Sequence, residues 1–483
     1  MKKIMVSMLL VLGVAGCAAN APVKQPGGME TAQTPRTEQS GETVAAVRPA
    51  ADAADENRGR AVSVKDTVEA TLGYNRGLKV IQENLDVTRH ELRRAKAGYG
   101  PSVDMVGRVG ANELSTSTTR SYGTNEGMYG TSSVGLTLTQ PLWNGFATRS
   151  RVATAQATVD SMSFRVFDNA TTFALDGVIA HVDLLRRREI LRLAEANVAR
   201  HREILASQKD RIGAGVSSTA DVTQTEGRLS RALATLSDAQ ASLREGEASY
   251  VRLTGKPVPG DITDVDAPAA FAELDDALEA SHSTNPKLKA YLADVQARRG
   301  DKGLAESTYH PQINLEAGPS YSDRAGRGNQ WEKEMSVGLA MRWNLFNSGA
   351  DDAEVKAAEA RIRQARETAA DFVDELDKEI ADTWTRWLSA KEQETYYRNA
   401  VVYNMETRDA YMEQFVLGQR SLLDVLDAES ELFNSSTQLE TVRGNIIVGG
   451  YRLHALAGDL LPILKVNTEK LYEAPGASQE HNK

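Results

Sequence analysis

One arginine and three aspartates are the residues of this chain whose types and spacing best suit reversible ion pairing. Asp424 and Asp427 are three apart, and Arg420 lies one turn before Asp424, so all three share a helix face. Asp221 joins them through an internal repeat: a shift of 203 residues lays Asp221 on Asp424 and Gly215 on Gly418. A guanidinium fork holds a carboxylate through two parallel hydrogen bonds. Each such exposed pair contributes only about 0–1 kcal/mol, so it forms and breaks readily. The same residues also read as solvated turn and capping groups, because Ser421 or a nearby aspartate suits a helix N-terminus. No catalytic constellation accompanies them. The seven histidines are scattered and form no HExxH, and Thr254-Gly255-Lys256 lacks the earlier glycine of a phosphate loop. A single cysteine leaves no thiolate zinc site and no intrachain disulfide. No enzyme activity, metal or cofactor is therefore expected.

That one cysteine, Cys17, is the other chemically distinctive residue. Lys2 and Lys3 precede an apolar run from Ile4 to Val14, and Val14-Ala15-Gly16 then leads into Cys17. This is a secretory signal over residues 1–16. Its end resembles a bacterial lipobox, which implies cleavage before Cys17 and acylation of that residue. An ordinary signal peptide with an incidental cysteine is the other reading. Residue 18 is Ala rather than Asp, and the resemblance then favours the outer membrane. Residues 17–60 are rich in Ala, Pro, Thr, Glu and Gly and bury no core, so a lipidated, disordered tether is expected. A loose tail is expected over 463–483.

The elements that position the charged residues come from the duplication. The 203-residue shift also superposes Val222 on Val425, Glu226 on Glu429, Leu229 on Leu432 and Gly255 on Gly458. Upstream the shift is 210, placing Asn75, Leu78, Tyr99 and Pro101 on Asn285, Leu288, Tyr309 and Pro311. Two structural repeats follow, 61–266 and 267–462. Residues 350–417 contain neither Gly nor Pro, and their counterpart, 147–211, has only Gly177. These are long helices of about 100 Å, suited to antiparallel coiled-coil packing. Shorter helices are predicted over 217–254 and 420–457, and each half opens with a helix, over 62–97 and 270–306.

Four segments change period from helical to two. Val103, Met105 and Val109 alternate with Asp104 and Arg108, and Val134, Leu136 and Leu138 with Ser133, Thr137 and Thr139. Ile313 and Leu315 alternate with Asn314 and Glu316, and Met335, Val337, Leu339 and Met341 with Ser336, Gly338 and Arg342. Such strands have one apolar and one polar face, and their length suits an outer-membrane barrel. The half-buried sheet of a globular domain is the competing reading. Four strands close no barrel, and an open edge does not face lipid. Several copies must then share one: two give a filled eight-stranded barrel, three a twelve-stranded barrel with a bore. The net charge of -10 gives no support to a nucleic-acid partner.

The chain resembles the TolC family of outer-membrane efflux ducts over about 61–460. The run Gly418-Gln419-Arg420-Ser421-Leu422-Leu423-Asp424-Val425-Leu426-Asp427-Ala428 carries the likeness most specifically. The stretches 97–105, 136–153 and Asp221 to Leu229 most resemble the type I secretion branch, which exports adhesins and RTX proteins. The resemblance implies a mainly α fold with a small membrane β part. It implies a homotrimer whose twelve-stranded barrel in outer-membrane lipid continues into an α-helical barrel across the periplasm. It implies partners, a periplasmic adaptor and an inner-membrane ABC transporter, and passive conduction. A multidrug efflux duct, a branch in which a lipidated cysteine is common, and a non-pore coiled-coil scaffold are the other readings. The resemblance places Gly215 and Gly418 at the turns of the periplasmic tip. It makes Arg420 the latch onto carboxylates of neighbouring helices and places Asp221, Asp424 and Asp427 in the same gate, where aspartate rings face the pore axis. Aspartates gathered on the axis would repel one another and attract cations. Phe415 stands where relatives can carry a latch tyrosine, so one hydroxyl link is missing. Trp143 and Trp343 suit an interfacial girdle or simple packing, and Trp384 and Trp387 suit helix packing.

Overall fold

The computed structural model describes residues 61–113, 128–213, 218–269, 271–325 and 330–472, together with residues 117 and 121. Cys17, the tether and Gly215 lie outside the described residues. In chain order the first repeat contains α1 (Val64–Tyr74), α2 (Arg76–Ala97), β1 (Ser102–Asn112), β2 (Tyr129–Trp143), α3 (Ala147–Gly213) and α4 (Thr219–Thr254). The second contains α5 (Leu274–Thr284), α6 (Pro286–Glu306), β3 (Gln312–Ala325), β4 (Gln330–Arg342), α7 (Ala350–Val416) and α8 (Leu422–Ala457), with a final turn, α9 (Leu460–Ile463).

Each half thus begins with two helices where the sequence predicts one. The breaks fall at the repeat-equivalent residues Asn75 and Asn285, whose ψ angles of 115° and 120° leave the helical region. Each asparagine ends one helix and caps the next. Asn75 Oδ1 accepts from the N–H of Gly77 at 2.8 Å, and Asn285 Oδ1 from that of Leu288 at 2.9 Å. At Asn285 the following Pro286 also disfavours helical geometry.

The four strands form one antiparallel sheet in the order β1-β2-β3-β4. The β2–β3 pairing, with Val134 opposite Tyr321 and Leu138 opposite Ala317, joins the two repeats. The register gathers Val103, Met105 and Val109 of β1 with Leu136 and Leu138 of β2 on one face. Leu315 and Ala317 of β3 and Val337, Leu339 and Met341 of β4 continue that face. It is apolar yet open: Met105 and Met335 are 71% and 81% exposed. Asp104, Arg108, Thr137, Glu316 and Arg342 occupy the opposite face. Among the described residues no helix is long and apolar enough to cross a membrane.

The two long helices have 67 residues each, about 100 Å at 1.5 Å per residue. Each is followed by a 36-residue helix, α4 or α8. Apolar clusters among the described residues hold them at different heights. Leu78, Leu85, Val166 and Val178 join α1, α2 and α3, with Leu460 and Leu461 of α9. Phe372, Leu376, Ile380 and Trp387 of α7 meet Leu453 and Ala277. Trp387 stacks on Trp384 with centroids 5.2 Å apart, so the tryptophan pair is packing. Ile204, Phe415, Leu422, Val425 and Leu426 form the third cluster near the far turn.

A strap over residues 255–273 links the repeats, and side chains hold its carbonyls one after another. Arg188 donates to Pro259 and Gly260, His181 faces the carbonyl of Thr263 at 3.1 Å, and His454 that of Ala269 at 2.7 Å. Part of the tail expected to be loose is packed instead. Leu464 and Leu471 are buried, and Gln82 and Arg89 of α2 donate to the carbonyls of Leu471 and Tyr472. Trp143 packs edge-on against Phe146 at 4.7 Å, and Trp343 Nε1 donates to the Tyr309 carbonyl, both close to the strand ends.

Candidate functional site at the helix turns

The turn between α7 and α8 is set by Gly418, whose φ of 75° is the left-handed region that glycine enters at little cost. The N–H of Gly418 bonds the Phe415 carbonyl, and that of Gln419 the Gln414 carbonyl. Ser421 then caps α8, its Oγ accepting from the Asp424 N–H at 3.3 Å. The equivalent start of α4 is a capping box: the Asp221 N–H donates to Ser218 Oγ, and the Ser218 N–H to Asp221 Oδ2 at 3.2 Å. The capping reading therefore describes Ser421 and part of what Asp221 does.

Among the described residues Arg420 has three partners, all in its own hairpin. Its Nη1 lies 3.5 Å from Asp424 Oδ2, its Nε donates to Gln414 Oε1 at 3.2 Å, and its guanidinium carbon sits 3.8 Å from the Tyr411 ring centroid. Stacking and fork geometry are both arginine properties. The side chain still keeps a third of its surface open.

Asp427 is not joined to Arg420. It is held at 2.6 Å by Arg228 of α4, a residue 199 positions earlier. Composition and local spacing give no sign of this pair, because its two halves belong to different repeats. Two further ion pairs repeat within the hairpins: Lys209 with Glu226 at 3.2 Å in the first, and Arg408 with Glu429 at 3.4 Å in the second. Glu226 and Glu429 are repeat partners, yet only the second pair is shielded, with side chains 13% and 8% exposed. Burial alone would lower the Arg408 pKa, but its hydrogen bond to Asp409 and the charge of Glu429 outweigh that, so the guanidinium is held in its charged form.

Phe415, which lacks a latch hydroxyl, is engaged by another route. Arg211 of α3 lies 4.7 Å from its ring centroid and donates to its backbone carbonyl at 3.4 Å. The structure thus brings Arg420 and Asp424 together. It pairs Asp427 elsewhere and adds Arg211 and Arg228, which the sequence did not single out as latch residues.

A sheet with an open apolar face, continuous with helical hairpins about 100 Å long, defines a subunit of an outer-membrane channel. The chain belongs to the outer membrane efflux protein family, that of the TolC-like ducts, whose model matches residues 67–256 and 277–459. The unmatched interval coincides with the strap between the repeats. Among relatives, outer membrane efflux protein BepC of Brucella suis biovar 1 (strain 1330) is 24% identical over 406 residues, 82% of this chain and 85% of that protein. The alkaline protease secretion protein AprF of Pseudomonas aeruginosa is 24% identical over 339 residues, 67% of this chain and 69% of its own. In structure, the outer membrane protein VceC of Vibrio cholerae matches with a TM-score of 0.69 at 17% identity, covering 85% of this chain and 97% of its own.

Proposed function

We propose that this chain is the outer-membrane duct of a type I secretion system, passively conducting exported protein from an inner-membrane ABC transporter and a periplasmic adaptor to the exterior. Three copies would close the barrel, β4 of one pairing with β1 of the next, because an unpaired strand edge has no hydrogen-bond partner in lipid. Acylated Cys17 would add a lipid anchor in the same membrane. The repeats 61–266 and 267–462 would each supply one hairpin of strands and one hairpin of long helices. The helix turns would form a periplasmic gate, with Arg420, Asp424, Asp427 and Asp221 among its charged groups and Gly215 and Gly418 at its bends.

The observation that carries the duct reading is the segregated sheet, whose apolar face is solvent-open in the isolated chain and so suited to lipid. Support for the secretion branch comes from the likeness to AprF, a protease secretion protein, and from the runs at 97–105 and 136–153. A drug-efflux duct is the second reading, favoured by the broader match to BepC and by Cys17. Gene deletion separates the two. Loss of a large secreted protein with unchanged drug susceptibility supports secretion; drug sensitivity with an intact secretome overturns it in favour of efflux.

A further inference from the structure

Where the sheet meets the helices, a cavity of about 470 Å³ lies between the start of α3 and the end of α6. Phe146, Arg149, Ser150, Arg299, Glu306 and His310 are among its walls. Arg149 lies 5.9 Å from the Phe146 ring centroid, and Arg299 donates to Gln296 Oε1 at 3.1 Å. Among the described residues neither arginine is paired with a carboxylate, whereas Glu306 is held by Lys302 at 3.3 Å. Trp143 stands opposite Ile313, two residues before Leu315 on the apolar face of β3, and opposed residues share a face. Trp143 packs on Phe146 at 4.7 Å, and His310 lies edge-on to the two rings at 6.5 and 6.4 Å. Both aromatic side chains are exposed. The cavity is thus contiguous with the open apolar face of the sheet.

The duplication shows that the fold itself does not require these residues. The 203-residue shift lays Gly145 and Phe146 on Ser348 and Gly349, and Arg149 on Asp352. All four turn residues have left-handed φ angles, 60° and 66° in the first repeat and 49° and 80° in the second. Glycine takes that conformation at little cost, so Phe146 holds a strained backbone where the second repeat has Gly349. Asp352 is paired with Lys356 at 2.7 Å. The aromatic ring and the arginine therefore occur together in the first repeat and are both replaced in the second.

Resting on the duct reading above, which sets the apolar face in lipid, we propose that this cavity binds the headgroup of an anionic phospholipid of the periplasmic leaflet. Arg149 and Arg299 take the phosphodiester, because guanidinium forks suit phosphate oxygens. Phe146 and Trp143 border the start of the acyl chains, the depth at which amphipathic aromatic rings settle in a membrane. Charge complementarity and continuity with the lipid-facing sheet favour this occupant over a soluble anion. A lipid so held ties the start of α3 to the end of α6, beneath the β2–β3 junction of the two repeats.

The test is native mass spectrometry of the full-length oligomer, released from nanodiscs holding equal amounts of phosphatidylglycerol and phosphatidylcholine. Wild type is expected to retain phosphatidylglycerol about tenfold over phosphatidylcholine, a ratio that one charge-assisted hydrogen bond sustains. Arg149→Ala with Arg299→Ala is expected to abolish that preference with the oligomer intact. Arg149→Lys with Arg299→Lys, which keeps the charge but not the fork, is expected to keep part of it. Phe146→Gly, which copies the second repeat, is expected to assemble normally and to retain less lipid. No preference in wild type, or an equal preference in the double alanine variant, overturns the site. Release of phosphatidylglycerol by millimolar inorganic phosphate overturns the lipid assignment in favour of a soluble anion. Failure of wild type to enter nanodiscs of any composition overturns the duct reading itself.

Discussion

Arg420 stacks on Tyr411 at 3.8 Å, and both residues belong to the same helical hairpin. The arginine singled out for pairing between neighbours is thus already partnered within its hairpin before any second copy arrives. Its ion pair with Asp424 reaches from the turn before α8 to the first turn of that helix and is partly open to solvent, as is the arginine itself.

Removing that side chain separates gating from stability. An exposed ion pair contributes about 0–1 kcal/mol and an exposed cation–π contact about 0.5–1 kcal/mol. Arg420→Ala is therefore expected to shift the melting midpoint by only a few degrees while increasing channel opening. A large thermal loss with unaltered opening would assign Arg420 to hairpin structure alone.

The two turn glycines at the ends of α4 and α7 respond differently to alanine. Gly418 has a φ of 75° and open space where a Cβ would point, so Gly418→Ala is expected to cost about 1–2 kcal/mol of backbone strain. At Gly255, φ is 66° and an added Cβ falls 2.3 Å from the Tyr74 ring, which adds a steric clash to the strain. Gly255→Ala is expected to lower the melting temperature clearly more than Gly418→Ala. Equal shifts in thermal denaturation would contradict the packing of α1 against the end of α4.

Packing at the turn gives a third expectation. Leu426 is fully buried with Val425, Phe415 and Ile204. Leu426→Ala is expected to cost about 2–5 kcal/mol locally. Hydrogen exchange should report it as earlier opening of amides near 415–430, with the sheet unaffected.

The strap histidines have opposite pH signatures. Burial pushes the His181 pKa below 6.5, ahead of upward pulls from the Thr263 carbonyl and Asp66. Its contribution to stability is complete above about pH 6.5 and is lost as the pH falls toward the lowered folded value. For His454, burial pulls downward, but the hydrogen bonds to Asp459 and the Ala269 carbonyl, with the Asp459 charge, raise the pKa above 6.5. Its contribution is complete below about pH 6.5 and fades as the pH rises through the raised value. Melting temperatures should show His454→Asn losing more at about pH 6 than at about pH 8.5, and His181→Asn the reverse. Parallel pH profiles for the two variants would refute the assignment.

Acylation is checked by mass. Cys17→Ser is expected to leave an unprocessed precursor without the added lipid, whereas an unaltered mature mass means that Cys17 carries no anchor.

Much of the fold was legible because its signals are local and periodic. Alternation found all four strands, and the absence of Gly and Pro from 350–417 found α7 nearly to its end. The helix breaks were partly legible: Pro286 marks the bend at Asn285, but at Asn75 only the cap itself marks it. The start of the tail, up to 472, was misjudged because two buried leucines, Leu464 and Leu471, dock it with no periodic run between them. The charged site was half visible. Arg420 and Asp424 lie one turn apart, so spacing reveals them, whereas Arg228–Asp427 and Arg211–Phe415 join residues about 200 positions apart and depend on how two hairpins lie together. The repeat alignment pointed to the right neighbourhood without naming the partners.

The central claim, that the chain forms a gated duct, is tested most directly by single-channel recording from the purified full-length oligomer in a planar bilayer. The expected result is a small, mostly closed conductance for wild type and a larger, longer-open conductance for Arg420→Ala. No conductance from either protein, at any voltage or salt concentration, would contradict it.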